Sequence, residues 1–175
     1  MKYSTIFSLS LILGTARAIN MTDYAPACGV DREFKQWYKE LLGAFEDPTT
    51  TDSITDFFAP GGALILGGSN FTGGEAILAA REAILPADGS IQWNHFPNIT
   101  VVASETPTNK SFEVTGVLQI TLSANASCST TYYQTLFTVE KNLNTGRANL
   151  ALQGGGLIIY DGFSVISTDD QCIKY

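Results

Sequence analysis

The sequence predicts an α+β domain in which a cone-shaped, curved antiparallel sheet packs on three N-terminal helices. Helical periodicity is confined to the chain before residue 86, and four runs rich in Val, Ile, Thr, Tyr and Phe follow residue 90. Turn-forming residues separate these runs, and helices followed by a strand meander are typical of α+β domains. The chain has no internal repeat and no linker, so residues 19–175 are expected to form one domain.

The first 18 residues are typical of a secretory signal peptide. Lys2 precedes an apolar run at 6–13, and Ala16-Arg17-Ala18 has the small-x-small pattern of a cleavage site. The apolar run is too short to span a bilayer, and no later segment is longer. Five N-x-S/T glycosylation sequons follow, at Asn20, Asn70, Asn98, Asn109 and Asn125. We therefore expect a secreted, extracellular eukaryotic glycoprotein with no membrane partner.

The composition is acidic, with a net charge of −7 from 10 basic and 17 acidic residues. Such a surface argues against nucleic acid and anionic membranes as partners. The chain has one histidine and three cysteines without C-x-x-C spacing, which argues against a structural zinc site. We expect no metal and no cofactor. In an oxidising compartment, three cysteines predict one disulfide and one unpaired thiol.

An amphipathic helix is predicted within residues 31–48. One helical face carries six apolar residues: Phe34, Trp37, Tyr38, Leu41, Leu42 and Phe45. Trp37 is expected in the core, whereas Tyr38 could turn its hydroxyl toward a cavity. A second helix is expected within 49–62, with Phe57 and Phe58 facing inward and "APGG" as its end, followed by a short buried strand at 63–66. A third helix is expected within 69–85.

Four strands are expected near 91–103, 111–123, 130–141 and 148–160. If the last two form a hairpin, the end of the fourth strand returns beside the start of the third. Cys128 precedes that start and Cys172 follows that end, so the two could come within bridging distance. We therefore favour a Cys128–Cys172 disulfide over Cys28–Cys172, with Cys28 unpaired. Gln153 precedes three glycines that interrupt the last run, and it is a candidate ligand contact.

His95, the only histidine, lies three residues before the sequon at Asn98. Side chains alternate across a strand, so a solvent-facing glycan on Asn98 predicts that His95 faces inward. Trp93 and Ile99 should then face inward as well, and Thr100 outward. A buried histidine needs hydrogen-bond partners, so His95 is either a packed core residue or an acid–base or ligand-contacting residue in a pocket.

Three stretches carry a resemblance to a known family: "ITDFFAPGGALIL" at 54–66, "GGEAI" at 73–77 and "HFPNITV" at 95–101. Together with the N-terminal helix, they resemble the SnoaL-like group of the nuclear transport factor 2-like superfamily. The resemblance covers the chain after residue 18 and implies a pocket between sheet and helices. Its members include scytalone dehydratase, ketosteroid isomerase and polyketide cyclases, which transfer protons with buried Asp, His and Tyr, and others that only bind ligands.

The resemblance implies a pocket histidine at His95. The chain departs from the enzymes of this group in two respects: it has no second histidine, and "PGG" at 60–62 stands where most relatives have an aspartate. Asp56, the nearest carboxylate, is expected on the exterior of its helix. These departures favour a binding or interaction protein without catalysis. The alternative is a lyase or isomerase, dehydratase-like or cyclase-like, that uses His95 on a small apolar substrate.

The expected pocket is apolar and suits a small apolar ligand. Its predicted lining residues are Trp37, Tyr38, Phe58, Trp93, His95, Phe112, Tyr133 and Gln153. A carboxylate buried beside His95 would favour the enzyme over the binding protein, because a carboxylate and a neutral histidine are the minimum acid–base pair. A homodimer formed through the sheet is a further expectation, and interaction with a host or matrix partner would be its role.

Overall fold

The structure is a computed structural model that describes residues 19–50, 52–168 and 172, so the expected signal peptide lies outside the described residues. Seven strands form one curved sheet, in the order β1-β4-β5-β6-β7-β2-β3. The elements in chain order are β1 (Ala25–Pro26), α1 (Phe34–Glu46), a 3₁₀ turn (Thr55–Phe57), β2 (Phe58–Leu66), β3 (Ser69–Thr72), α2 (Gly74–Ile84), β4 (Ile91–Glu105), β5 (Asn109–Leu122), β6 (Ser127–Glu140) and β7 (Leu157–Thr168). No helix in the described ranges is long and apolar enough to cross a membrane.

The α+β class is confirmed, but two details of the prediction are wrong. The sheet is mixed, because β1 pairs with β4 and β2 pairs with β7 in parallel. The expected second helix is only the 3₁₀ turn, and β2 begins at Phe58. Pro60 favours an extended conformation at the residue before it. A Cβ atom on Gly62 would lie 2.7 Å from the carbonyl oxygen of Leu157, so the glycine allows β2 to approach β7 instead of ending a helix.

Helix α1 packs against the inner face of the sheet, and all six apolar residues predicted for its face are buried. The Phe34 ring lies 4.4 Å from that of Phe112 on β5, and the Phe137 ring on β6 lies 5.8 Å from that of Trp37 and 5.1 Å from that of Tyr38. Each of the three phenylalanines is fully buried and contributes about 1.5–3 kcal/mol. This aromatic layer fixes the direction of α1, and with it the position of Glu46 at the helix end.

Strand β4 contains a β-bulge close to His95. In the pairing of β4 with β5, Pro97 and Ile99 pair with consecutive residues of β5, so Asn98 between them is the extra residue. Before the bulge the predicted alternation holds, and His95 is buried with 4% of its surface exposed. After the bulge the alternation reverses: Thr100 is fully buried and Ile99 is 47% exposed. The prediction that Ile99 faces inward and Thr100 outward is therefore wrong.

Strands β6 and β7 form the expected antiparallel hairpin, but β7 starts at Leu157 and not near residue 148. The preceding segment is irregular, and Gly155 in it has a φ of 62°, which is unsuited to a regular strand. Cys128 and Cys172 are joined by a disulfide with their Cα atoms 5.6 Å apart. Cys28 is a free, exposed cysteine. The pairing is the one that the hairpin argument favours.

Candidate active site

Glu46, the last residue of α1, holds the side chain and the backbone of His95. Its Oε1 atom accepts a hydrogen bond from the backbone N–H of His95 at 2.8 Å and lies 2.5 Å from the ring nitrogen Nδ1. Only 6% of the His95 side chain and 8% of the Glu46 side chain are exposed. An ionised carboxylate can only accept a hydrogen bond, so this geometry assigns the ring proton to Nδ1 and leaves Nε2 as the acceptor nitrogen.

Two tyrosine hydroxyls lie next to this pair. The Tyr133 ring is nearly perpendicular to that of His95, with centroids 5.1 Å apart, and its hydroxyl oxygen lies 3.0 Å from that of Tyr38. Burial raises the pKa of both phenols well above the usual range. Both hydroxyls therefore stay protonated and can act as hydrogen-bond donors, but not as bases.

Gly116 on β5 makes room for the Tyr133 hydroxyl. A Cβ atom at this position would lie 2.6 Å from the Tyr133 hydroxyl oxygen and 2.5 Å from the carbonyl oxygen of Phe96. A Cβ atom essentially never comes that close to a non-bonded atom, so any side chain here would displace the tyrosine or the strand. The glycine in the middle of an otherwise regular strand therefore has a packing role beside the site.

A cavity of about 750 Å³ opens beside the Glu46–His95 pair. It is bounded by the end of α1, the segment that follows it, the start of β4 and the loop before β7. Glu46 and Trp93 form part of its wall, and His95 lies behind them, with its ring 5.9 Å from that of Trp93. Among the described residues, the charged ones that line the cavity are all acidic: Glu40, Glu46 and Asp47. This charge disfavours an anionic ligand and suits an uncharged or cationic one.

The predicted pocket residues fall into three groups. Trp93 and Gln153 line the cavity. His95, Tyr38 and Tyr133 form a polar cluster that does not line the cavity. The other three are buried in the hydrophobic core, outside the cavity wall: Trp37, Phe58 and Phe112.

Sequence reasoning missed Glu46, although two signals pointed to it. Glu46 lies four residues after Leu42, so it shares the edge of the apolar face of the helix. It also occupies the last turn of α1, where the helix dipole disfavours a negative charge. A carboxylate in that position needs a partner, and His95 is that partner. Asp56, the carboxylate considered from the sequence, is exposed.

No protein-family model and no curated protein matches the sequence. Solved structures do match it. A putative scytalone dehydratase from Novosphingobium aromaticivorans is 11% identical, with a TM-score of 0.61 over 81% of this chain and 88% of that one. The hexachlorocyclohexane dehydrochlorinase LinA type 2 is 10% identical, with a TM-score of 0.61 over 82% and 90%. ActVI-ORFA from Streptomyces coelicolor is 10% identical, with a TM-score of 0.59 over 76% and 95%.

These similarities show that the chain has the nuclear transport factor 2-like fold. The fold that the sequence resemblance implies is thereby confirmed. At 10–11% identity, the likeness speaks to the fold alone. The function has to be argued from the side chains of the site.

Proposed function

We propose that this chain is a lyase or isomerase that transfers a proton on a small, uncharged substrate, with Glu46 and His95 as its acid–base pair. The observation that carries this proposal is the 2.5 Å contact between Glu46 Oε1 and His95 Nδ1, a buried pair of which Glu46 lines the cavity. A buried carboxylate beside His95 supports an enzyme, because a carboxylate and a neutral histidine are the minimum acid–base pair.

The chemistry follows from the tautomer that Glu46 imposes. Nε2 of His95 takes a proton from an acidic C–H bond of the substrate, and the Glu46 carboxylate stabilises the imidazolium that forms. The electron pair of the broken bond forms a carbon–carbon double bond. In an elimination it expels a leaving group, which the imidazolium protonates. In an isomerisation the imidazolium returns the proton to another carbon. A positioned acid–base group of this kind contributes about 10²–10⁴-fold to the rate.

Two further observations support this assignment. The hydroxyls of Tyr38 and Tyr133 supply neutral donors beside the ring, and the acidic cavity wall favours a substrate without negative charge. Two of the proteins with a similar fold are named as a dehydratase and a dehydrochlorinase, and both names describe eliminations. A lyase is therefore the first class to test.

A second candidate is a protein that binds a small apolar ligand without turnover. The observation that favours it is the burial of His95, which is 4% exposed and lies behind Glu46 and Trp93. On this hypothesis the ligand occupies the cavity, and the Glu46–His95 pair only holds α1 against β4.

We also propose that the protein acts outside the cell as a glycoprotein. The leader-like segment at 1–18 and the sequons support this location. Asn70, Asn98 and Asn125 are exposed, as a glycan acceptor must be.

Deuterium exchange distinguishes the two functions before the natural substrate is known. Uncharged cyclic ketones and β-hydroxyketones are incubated with the protein in D₂O, and deuterium uptake and loss of water are followed by NMR. We expect exchange or elimination with the wild type. In His95→Gln and in Glu46→Gln the rate should fall by a factor of about 100 or more. Asp56→Asn changes an exposed carboxylate and should leave the rate unchanged. Compounds that bind the wild type without any exchange would support the binding protein and contradict the enzyme.

A further inference from the structure

We propose that Arg81 is a positioning residue for the Glu46–His95 pair. Its guanidinium binds the backbone on both sides of Glu46 and the start of the loop that leads to β4. The catalytic meaning of this inference rests on the proposed function, but its geometric content can be tested without any substrate.

Arg81 lies on α2 and is only 1% exposed. Its Nε donates a hydrogen bond to the carbonyl oxygen of Phe45 at 3.0 Å, and its Nη2 donates to the carbonyl oxygen of Asp47. Phe45 and Asp47 are the two neighbours of Glu46 in the chain. One side chain therefore holds the backbone immediately before and immediately after Glu46.

The third hydrogen bond of Arg81 holds the start of the connection that leads from α2 to β4. Nη1 donates to the carbonyl oxygen of Leu85 at 3.3 Å. Leu85 is the first residue after α2, and the connection from there enters β4 at Ile91, four residues before His95. The same guanidinium thus connects the end of α1, which carries Glu46, to the segment that delivers His95.

The end of α1 needs a cation from elsewhere in the fold. The last carbonyl groups of a helix have no partners within it, and they form the negative end of the helix dipole. The last turn of α1 contains no basic residue, and Glu46 adds a negative charge there. Arg81 donates to one of these carbonyl groups, that of Phe45, and to the carbonyl of Asp47 just after the helix, and its positive charge compensates the negative charge at this end. Burial lowers the pKa of its guanidinium, and the carboxylates of Asp47 and Glu82 oppose this shift.

A purely stabilising role and a positioning role for Arg81 predict different effects on the site of the folded protein. A residue that only stabilises the fold would lower the melting temperature and leave the site of the folded protein unchanged. A positioning residue would also change the hydrogen bond between Glu46 and the His95 ring. Because His95 is the only histidine, its Nδ1 proton gives a single imidazole signal by ¹⁵N-edited NMR.

The experiment compares this signal in the wild type, Glu46→Gln, Arg81→Met and Arg81→Lys. Arg147→Met is the matched control, since Arg147 is exposed and pairs with Glu33 away from the site. We expect a strongly deshielded, slowly exchanging Nδ1 proton in the wild type and in Arg147→Met. In Arg81→Met it should be lost or shifted toward the position in Glu46→Gln. Arg81→Lys keeps the charge but cannot reach three carbonyl groups, so it should show a smaller shift in the same direction.

Folding of each variant is judged from its methyl spectrum, and the comparison is made on Arg81→Lys if Arg81→Met does not fold. A folded Arg81 variant with the wild-type Nδ1 signal would overturn the proposal, provided that Glu46→Gln changes that signal. If Glu46→Gln leaves the signal unchanged, the pair itself is absent in solution, and both the proposed function and the role of Arg81 are contradicted. Failure of the exchange assay alone would leave the positioning role intact.

Discussion

Tyr38 on α1 and Tyr133 on β6 share one hydrogen bond, with 3.0 Å between hydroxyl oxygens of residues 95 positions apart in the chain. This bond ties the helix that carries Glu46 to the sheet that carries His95. Both tyrosines are buried, with 1% and 6% of their surfaces exposed. A hydroxyl that loses its partner in such a buried position cannot form a hydrogen bond with water instead.

The first prediction concerns the coupling between these two hydroxyls. Tyr38→Phe and Tyr133→Phe should each lower the free energy of unfolding by about 1–3 kcal/mol, because each leaves the other hydroxyl unpaired. The double variant should cost less than the sum, with a coupling of about 1 kcal/mol. Urea denaturation of the four proteins measures this. Tyr132→Phe, on a half-exposed side chain, is the control. Strictly additive costs would show that the hydrogen bond is absent.

The second prediction concerns alkaline pH. Burial raises the pKa of Tyr38, Tyr133 and Tyr160 in the folded state. Their contribution to stability is complete below the pKa of an unfolded tyrosine, about 10, and is lost as the pH rises toward the folded values. The free energy of unfolding should therefore fall above about pH 10. Absorbance of the phenolate should show these tyrosines ionising only as circular dichroism reports unfolding. Their ionisation near pH 10 in the folded protein would contradict the burial of the cluster.

The third prediction concerns the contribution of the Glu46–His95 pair to the stability of the fold. Glu46→Ala leaves the backbone N–H and the Nδ1–H of His95 without their acceptor, so it should destabilise the fold by about 1–3 kcal/mol per lost bond. Glu40→Ala removes an exposed carboxylate earlier on α1 and should change stability by less than about 0.5 kcal/mol. Calorimetric melting of the two variants makes the comparison. Equal, small effects would mean that Glu46 is solvated and unpaired.

Part of this architecture follows from local sequence patterns. The apolar face of α1 and the existence of β4, β5 and β6 are visible because their spacing repeats within each element. The second helix was mispredicted because Phe57 and Phe58 fit helical spacing, whereas the pairing of β2 with β7, nearly 100 residues away, determines the strand. The reversal at Ile99 was missed because a bulge depends on the partner strand and not on the strand that contains it.

The site itself was predictable only in half. The inward orientation of His95 follows from the alternation of side chains along β4. The reference residue for this alternation, Asn98, is close by in the same strand. Glu46 lies on α1 and Arg81 on α2, and their approach to each other and to His95 depends on how the two helices pack. Nothing in the linear sequence links Glu46 to a strand 49 residues later. The carboxylate beside His95 therefore comes from the end of α1, and the position at 60–62 where the resemblance expects an acid has none.

The fourth prediction concerns processing, and peptide mass spectrometry of secreted, non-reduced protein measures it. The mature chain should begin near Ile19, and the exposed sequons at Asn70, Asn98 and Asn125 should carry glycans. A crosslinked peptide should contain Cys128 and Cys172, with Cys28 as a free thiol. The disulfide closes a loop of 44 residues and should add about 4 kcal/mol to stability on loop-entropy grounds. An intact Met1 on secreted protein would contradict cleavage.

The most direct test of the central claim is the tautomer of His95, because the proton-transfer role requires a bare Nε2. Long-range ¹H–¹⁵N NMR on uniformly labelled protein resolves the two ring nitrogens, and the chain contains no other histidine to overlap with them. At the alkaline end of the ring titration, we expect the proton on Nδ1, with Nε2 unprotonated and available to a substrate. Glu46→Gln should shift the ring toward the tautomer with the proton on Nε2. A wild-type ring protonated on Nε2 would contradict the account, since the nitrogen assigned to take the substrate proton would already be occupied.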